Sequence, residues 1–222
     1  MKTHGPLNIE VFIEPSFQEN GLLLWPVDGR DCWIIDPGFS PQPDQLAAAV
    51  AERELTPQAV LLTHCHVDHL AGVPVICEKL PAAKLWVPRD EEHMPTDATE
   101  NLSASLGMPI STPAVDRLIA PGDTLELGDL KWQVLDVGGH SPGGLAFYCQ
   151  QAGVVIVGDA LFAGSIGRYD FPGSSGERLL KNINENLLTL PEETVVYSGH
   201  GPDTTIGHER DTNPFLRPGG MW

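Results

Sequence analysis

The sequence predicts an α/β chain. Strand-like and helix-like segments alternate along it twice over, and the candidate functional side chains fall at or just past the ends of short, β-branched-rich apolar runs. At 222 residues with 41% hydrophobic content, the chain suits one domain over 1–222, large enough to bury a core.

In the first half the strand candidates are residues 7–14, 22–27, 32–36, 60–63 and 84–87. Ser40-Pro41 marks a helix start ahead of Leu46, Ala49 and Val50. A helix over about 68–80 must bend or restart at Pro74, because proline lacks the backbone donor. The second half repeats the scheme with strands at 124–127, 131–137, 145–149 and 154–157, a helix from about 175 to 190, and a strand at 194–197. In that helix Leu179, Leu180, Ile183, Leu187 and Leu190 share one face, and Pro191 ends it. Residues 94–113, rich in Pro and Thr, read as a surface excursion beside the cleft, helical around 98–106 and solvated rather than bordering substrate.

The densest signal is His64-Cys65-His66-Val67-Asp68-His69, directly behind the apolar run Ala59-Val60-Leu61-Leu62-Thr63. Imidazoles and a carboxylate at this spacing offer nitrogen and oxygen ligands to a divalent metal, and a strand end gives them a rigid support. Cys65 lies between two proposed ligands, so in extended chain its side chain points the opposite way, into packing. Further candidates are His140 in Gly138-Gly139-His140-Ser141-Pro142-Gly143, Asp159 after Val154-Val155-Ile156-Val157-Gly158, and His200 after Val195-Val196-Tyr197-Ser198-Gly199. Taken singly, each could equally cap a loop or serve a turn. Asp36, in Asp36-Pro37-Gly38, is either a turn residue or a group that orients a ligand from behind.

Taken together, His64-x-His66-x-Asp68-His69 followed in order by His140, Asp159 and His200 resembles the ligand set of the metallo-β-lactamase-fold hydrolases. Within them the chain is similar to small glyoxalase II-like proteins through residues 164–172 and Gly199-His200-Gly201-Pro202-Asp203-Thr204-Thr205-Ile206-Gly207-His208-Glu209. The resemblance implies a four-layer αβ/βα sandwich, two mixed β-sheets flanked by helices, with the ligands converging at one edge. It implies one metal on His64, His66 and His140, a second on Asp68, His69 and His200, and Asp159 bridging them. Asp68 and Asp159 thereby become the catalytic carboxylates. Two divalent ions, zinc in the first place with iron or manganese as alternatives, would acidify a shared water to hydroxide, the expected nucleophile.

On the same resemblance the expected activity is hydrolysis of S-hydroxyacylglutathione or a related small-molecule thioester. Arg168 occupies the position that contacts a glutathione carboxylate in such enzymes, although a salt bridge to Asp170 accounts for it equally well. Typical glyoxalase II enzymes continue past the last ligand into a helical extension, whereas here only residues 201–222 follow, so the thiol carrier can differ. The tail, with Asn213-Pro214-Phe215 and Trp222, is expected to pack over the sheet edge or to serve a homodimer contact. A mononuclear-iron persulfide dioxygenase using His64, His140 and Asp159 is the alternative of another reaction class. A lactonase or a β-lactamase ranks below both.

Charge and composition exclude other classes. A net charge of −17 and a pI near 4.6 argue against a nucleic-acid partner. No run reaches membrane-spanning length and no signal segment precedes residue 7, so a cytoplasmic location without a membrane partner is expected. Cys32, Cys65, Cys77 and Cys149 show no paired spacing, which speaks against a disulfide framework or a zinc ribbon. His4, His93 and His208 fall outside the ligand pattern and are given no catalytic part.

Overall fold

The computed structural model describes residues 1–217 and builds two mixed sheets face to face. The first holds β1 (Lys2–His4), β2 (Leu7–Ile13), β3 (Asn20–Pro26), β4 (Asp31–Ile35), β5 (Thr56–Leu61), β6 (Lys84–Pro88) and β7 (Arg117–Ile119), in that spatial order. β1 to β4 pair antiparallel; β4 to β7 run parallel, with α1 (Gln42–Glu52), α2 (Val67–Leu70) and α3 (Val73–Lys79) on the crossovers. The second sheet comprises β8 (Thr124–Leu127), β9 (Leu130–Asp136), β10 (Leu145–Cys149) and β11 (Val154–Gly158). After the small hairpin β12 (Leu161–Phe162) and β13 (Ser165–Ile166) and helix α4 (Gly176–Asn182), β14 (Val195–Ser198) joins β11 in parallel. β15 (Thr204–Thr205) forms its edge and leads into α5 (Ile206–Thr212).

Three hydrophobic layers separate four structural ones. Because side chains alternate along a strand, each central strand supplies two layers at once. In β4, Trp33 and Ile35 face the other sheet, whereas Cys32 and Ile34 face the helices; in β11, Ile156 faces inward and Val155 outward. The inter-sheet layer is centred on Trp33, Trp132 and Phe147, all at most 1% exposed, with the Trp33 and Trp132 rings 5.7 Å apart. Leu46, Val50 and Ile76 of α1 and α3 close the second layer. Leu179, Leu180, Ile183 and Leu187 close the third, along α4 and its π-helical continuation Ile183–Leu187. This is the expected four-layer αβ/βα sandwich.

Several boundaries differ from expectation for local reasons. The helix after the His motif breaks as Pro74 requires: α2 stops at Leu70, and α3 begins at Val73 with Pro74 in its first turn. The last long helix ends its regular part at Asn182. Strands β1, β7, β12, β13 and β15 and helix α5 were not anticipated, the strands being two or three residues long and too short for a period to appear. Residues 94–113 are not a simple solvated loop: Met94, Asn101 and Ser103 are buried, and the Asn101 amide bonds the carbonyls of Met94 and Ile110. The tail packs Phe215 and Leu216 against the outer core of the second sheet; Trp222 lies outside the described residues. No helix among the described residues is long and apolar enough to cross a membrane.

Candidate metal centre

β4, β5 and β6 run parallel, β14 pairs parallel with β11, and β9 runs the same way as β11 across the antiparallel β10, so their C-terminal ends open onto one edge of the sandwich. Asp36 follows β4, His64 to His69 follow β5, His140 follows β9, Asp159 follows β11 and His200 follows β14. Residues distant in sequence thereby meet. One donor atom each from His64, His66 and His140 lie within 4.8 Å of one another, and so do those of Asp68, His69 and His200. Asp159 stands between the groups, Oδ1 3.4 Å from His69 Nε2 and Oδ2 3.6 Å from His140 Nε2 and 3.5 Å from His200 Nε2. Every ligand candidate of the sequence is therefore in one place, and Cys65 points away into the outer core as expected.

Outer partners decide which ring nitrogen each histidine offers. His140 Nδ1–H donates to the Arg168 carbonyl at 2.8 Å, His200 Nδ1–H to the Phe17 carbonyl at 3.0 Å and His69 Nδ1–H to Asp36 Oδ2 at 3.0 Å. The Thr63 hydroxyl gives its proton to Asp36 Oδ2 at 2.6 Å, so at 3.1 Å it accepts from His64 Nδ1–H. Four imidazoles thus turn Nε2 toward the shared space, and His66 turns Nδ1 there, 2.9 Å from His140 Nε2. Asp36, which also accepts the Thr63 N–H at 2.7 Å, orients ligands from behind.

Backbone clamps hold the loops. Asn20 donates to the carbonyls of Ser198 and Gly201 on either side of His200. The His140 loop is pinned from α4, by Asn182 on the Gly138 carbonyl and by the Ser175 N–H on that of Gly139. A Cβ on Gly199 would lie 2.2 Å from Asp159 Oδ1 and 2.6 Å from His69 Cε1, which is why glycine precedes His200. Two buried acids that sequence reasoning missed complete the support. Glu91, just past β6, accepts the N–H groups of Cys65 and Gly143. Glu19 accepts from the Gln42 amide at 2.8 Å. Burial pushes both carboxyls up. Neither carries a local sequence signal, since an acid beside a strand end ordinarily reads as solvated.

The electrostatics favour a cation. Burial, followed by the neighbouring His69 and His66 rings, keeps His64 well below its usual range, and burial with His140 holds His66 at about 3. Burial pushes Asp159 and Asp68 up, but His69 above all outweighs it and holds both carboxyls below the ordinary range. His69 is raised well above its own range, because Asp159 and Asp68 overcome the penalty of burial. His64 Nε2, His69 Nε2 and Asp159 Oδ1 are buried with no hydrogen-bond partner. Buried polar atoms without partners are costly in a protein interior, and imidazole nitrogens converging with ionised carboxylates are the donor set of a divalent metal, which would take the place of the proton those carboxylates favour on His69. The residues therefore fit such ions.

The cleft above these groups has a volume of about 530 Å³. Arg168 lines it, its guanidinium forked onto Asp170 at 2.9 Å and lying 4.5 Å from the Phe171 ring. Leu102, Ser105 and Leu106 also line it, so the excursion taken for solvated chain forms part of the wall.

A family model described as metallo-beta-lactamase superfamily matches residues 16–200. The chain is 41% identical over 200 residues to the probable metallo-hydrolase YqgX of Bacillus subtilis, covering 90% of this chain and 92% of that one. It is 33% identical over 212 residues to hydroxyacylglutathione hydrolase GloC of Haemophilus influenzae, covering 95% and 98%. Among solved structures it resembles BLEG-1 B3 metallo-beta-lactamase, with a TM-score of 0.89, 37% identity and coverage of 95% and 100%. It also resembles TTHA1623 in a di-iron-bound form, with a TM-score of 0.82, 36% identity and coverage of 93% and 100%.

Proposed function

The chain belongs to the metallo-beta-lactamase superfamily, and on that premise we propose a hydrolase that holds two divalent cations, zinc first among them, and cleaves S-hydroxyacylglutathione or a related thioester. The supporting observation is the Asp159 carboxylate, within 3.6 Å of His140 on one side and 3.5 Å of His200 on the other, so that one anion serves both donor groups. The Haemophilus influenzae relative bears the name of a hydroxyacylglutathione hydrolase, which supports the bond type. The di-iron-bound relative supports a pair of ions.

His64, His66 and His140 would hold one cation, Asp68, His69 and His200 the other, and Asp159 both. When bound, the pair supplies Lewis acidity and draws a nucleophile from water near neutral pH. The chain's own residues orient that chemistry: Asp36, Thr63 and the carbonyls of Arg168 and Phe17 fix the ring nitrogens, and Phe171, 5.2 Å from the His66 ring, keeps an apolar wall beside them. A departing thiolate needs little protonation, so no separate general acid is required. Arg168 is the proposed partner of a carboxylate on the thiol half; its pair with Asp170 is exposed and weakly held, and a substrate anion can displace it.

Metal analysis of the purified protein followed by thioester assays tests this. Two zinc equivalents and hydrolysis that a chelator abolishes are expected. One iron with oxygen uptake on glutathione persulfide would replace the thioesterase by the dioxygenase using His64, His140 and Asp159. Full activity after exhaustive chelation would end both.

A further inference from the structure

The walls of the cleft carry information the donor groups do not. Phe17, Val67, Leu102, Leu106, Phe162 and Phe171 face it, and Phe17 and Leu106 remain 41% and 40% exposed. Large apolar side chains held at a cleft mouth are surfaces a ligand covers. They flank both donor groups: Phe171 lies 5.6 Å from the His140 ring, and Phe162 6.1 Å from that of His200. Phe17 accepts from His200 through its carbonyl and stacks on Phe39 with ring centroids 5.3 Å apart.

Polar side chains other than the donors are few, and two of the three are engaged. Among the described residues lining the cleft they are Ser105, Ser165 and Arg168. Ser105 Oγ donates to the Leu102 carbonyl at 2.6 Å, Ser165 Oγ points to the Ile166 carbonyl at 3.4 Å, and Arg168 is forked onto Asp170 on the Phe171 side. On the His200 side, the side chains of Phe17 and Phe162 present apolar surface, with the Ser165 hydroxyl opposite Phe162 among the described residues. A hydroxyl desolvated against the Phe17 and Phe162 rings loses its water without replacement, at a cost of roughly tenfold or more in affinity.

We infer that the cleft selects thioesters whose acyl group is an apolar chain or ring of several carbons, seated against Phe17 and Phe162 on the His200 side, over 2-hydroxyacyl thioesters. The inference rests on the thioesterase reading and names the acyl class that reading leaves open. Arg168 then attends the thiol half on the opposite side.

The test is a series of thioesters of one thiol, N-acetylcysteamine, bearing acetyl, butanoyl, hexanoyl, phenylacetyl and lactoyl groups, assayed with the metal-loaded protein. The ratio kcat/KM is expected to rise about threefold or more per methylene up to hexanoyl, and hexanoyl to exceed lactoyl by at least about tenfold. Binding of the unreactive thioethers S-hexyl- and S-methyl-N-acetylcysteamine, followed by calorimetry, should show the same order. Phe17→Ala and Phe162→Ser should each narrow the hexanoyl-to-lactoyl ratio, Phe17→Ala serving as the check if substitution beside His200 disturbs metal content. A flat series, or a lactoyl preference, overturns the inference and leaves the thioesterase standing. Absence of hydrolysis with every thioester removes that reading and the inference with it.

Discussion

Glu91, wholly buried, accepts the backbone N–H of Cys65 through Oε2 at 2.6 Å, and its other oxygen accepts that of Gly143 at 2.7 Å. One carboxylate thereby latches the loop carrying His64 and His66 to the loop carrying His140. Glu91→Ala would strand two buried donors, a loss of roughly 2–5 kcal/mol in stability. It should also weaken metal binding at the His64, His66 and His140 group by about 10–100-fold, as losses behind a ligand shell do. Urea unfolding and chelator competition measure the two effects, and unchanged values for both would make the latch dispensable.

Asp36 gathers three donors, the Thr63 N–H, the Thr63 hydroxyl and His69 Nδ1–H. Asp36→Asn keeps the shape but replaces one acceptor oxygen with a donor group. Affinity at the Asp68, His69 and His200 group is expected to fall by about 10–100-fold while the fold is retained. A zinc titration indistinguishable from wild type would refute this role.

Asp159→Ala removes the anion that both donor groups approach. Most turnover should disappear and metal content should drop from two equivalents to one or fewer. Wild-type turnover in a folded variant with normal metal would contradict the site assignment.

Arg168→Ala should raise KM for glutathione thioesters by about three- to tenfold and leave kcat within about twofold, since a remote ion pair acts alike on ground and transition states. Thioesters of the uncharged N-acetylcysteamine are the control and should not respond. The unfolding midpoint should hold, because the Arg168–Asp170 pair is exposed. An unaltered KM for every glutathione ester removes Arg168 from recognition.

Gly199→Ala would force its Cβ toward Asp159 Oδ1 and His69 Cε1. Crowding of this kind costs about 1–3 kcal/mol in stability and should also lower metal occupancy, because the displaced atoms are donors. Calorimetric unfolding read beside metal content checks it; a variant as stable and as fully loaded as wild type would exclude the contact.

The sequence by itself determined the strands long enough to show a pattern and the break at Pro74, and its motifs offered seven ligand candidates from His64 to His200. These are legible because they are local: alternation along β4 or β11 is written in neighbouring residues, and a histidine at a strand end keeps its chemistry wherever the strand goes. Tertiary structure alone decided which distant groups stand behind those ligands. Glu91 is an ordinary acid after an ordinary strand until the parallel course of β5 and β6 sets it beside Cys65 and the opposing sheet brings Gly143 to its other oxygen. Leu102 and Leu106 likewise resemble solvated loop until folding turns that segment over the cleft. Contacts between segments far apart in the chain depend on packing geometry, which no local spacing records.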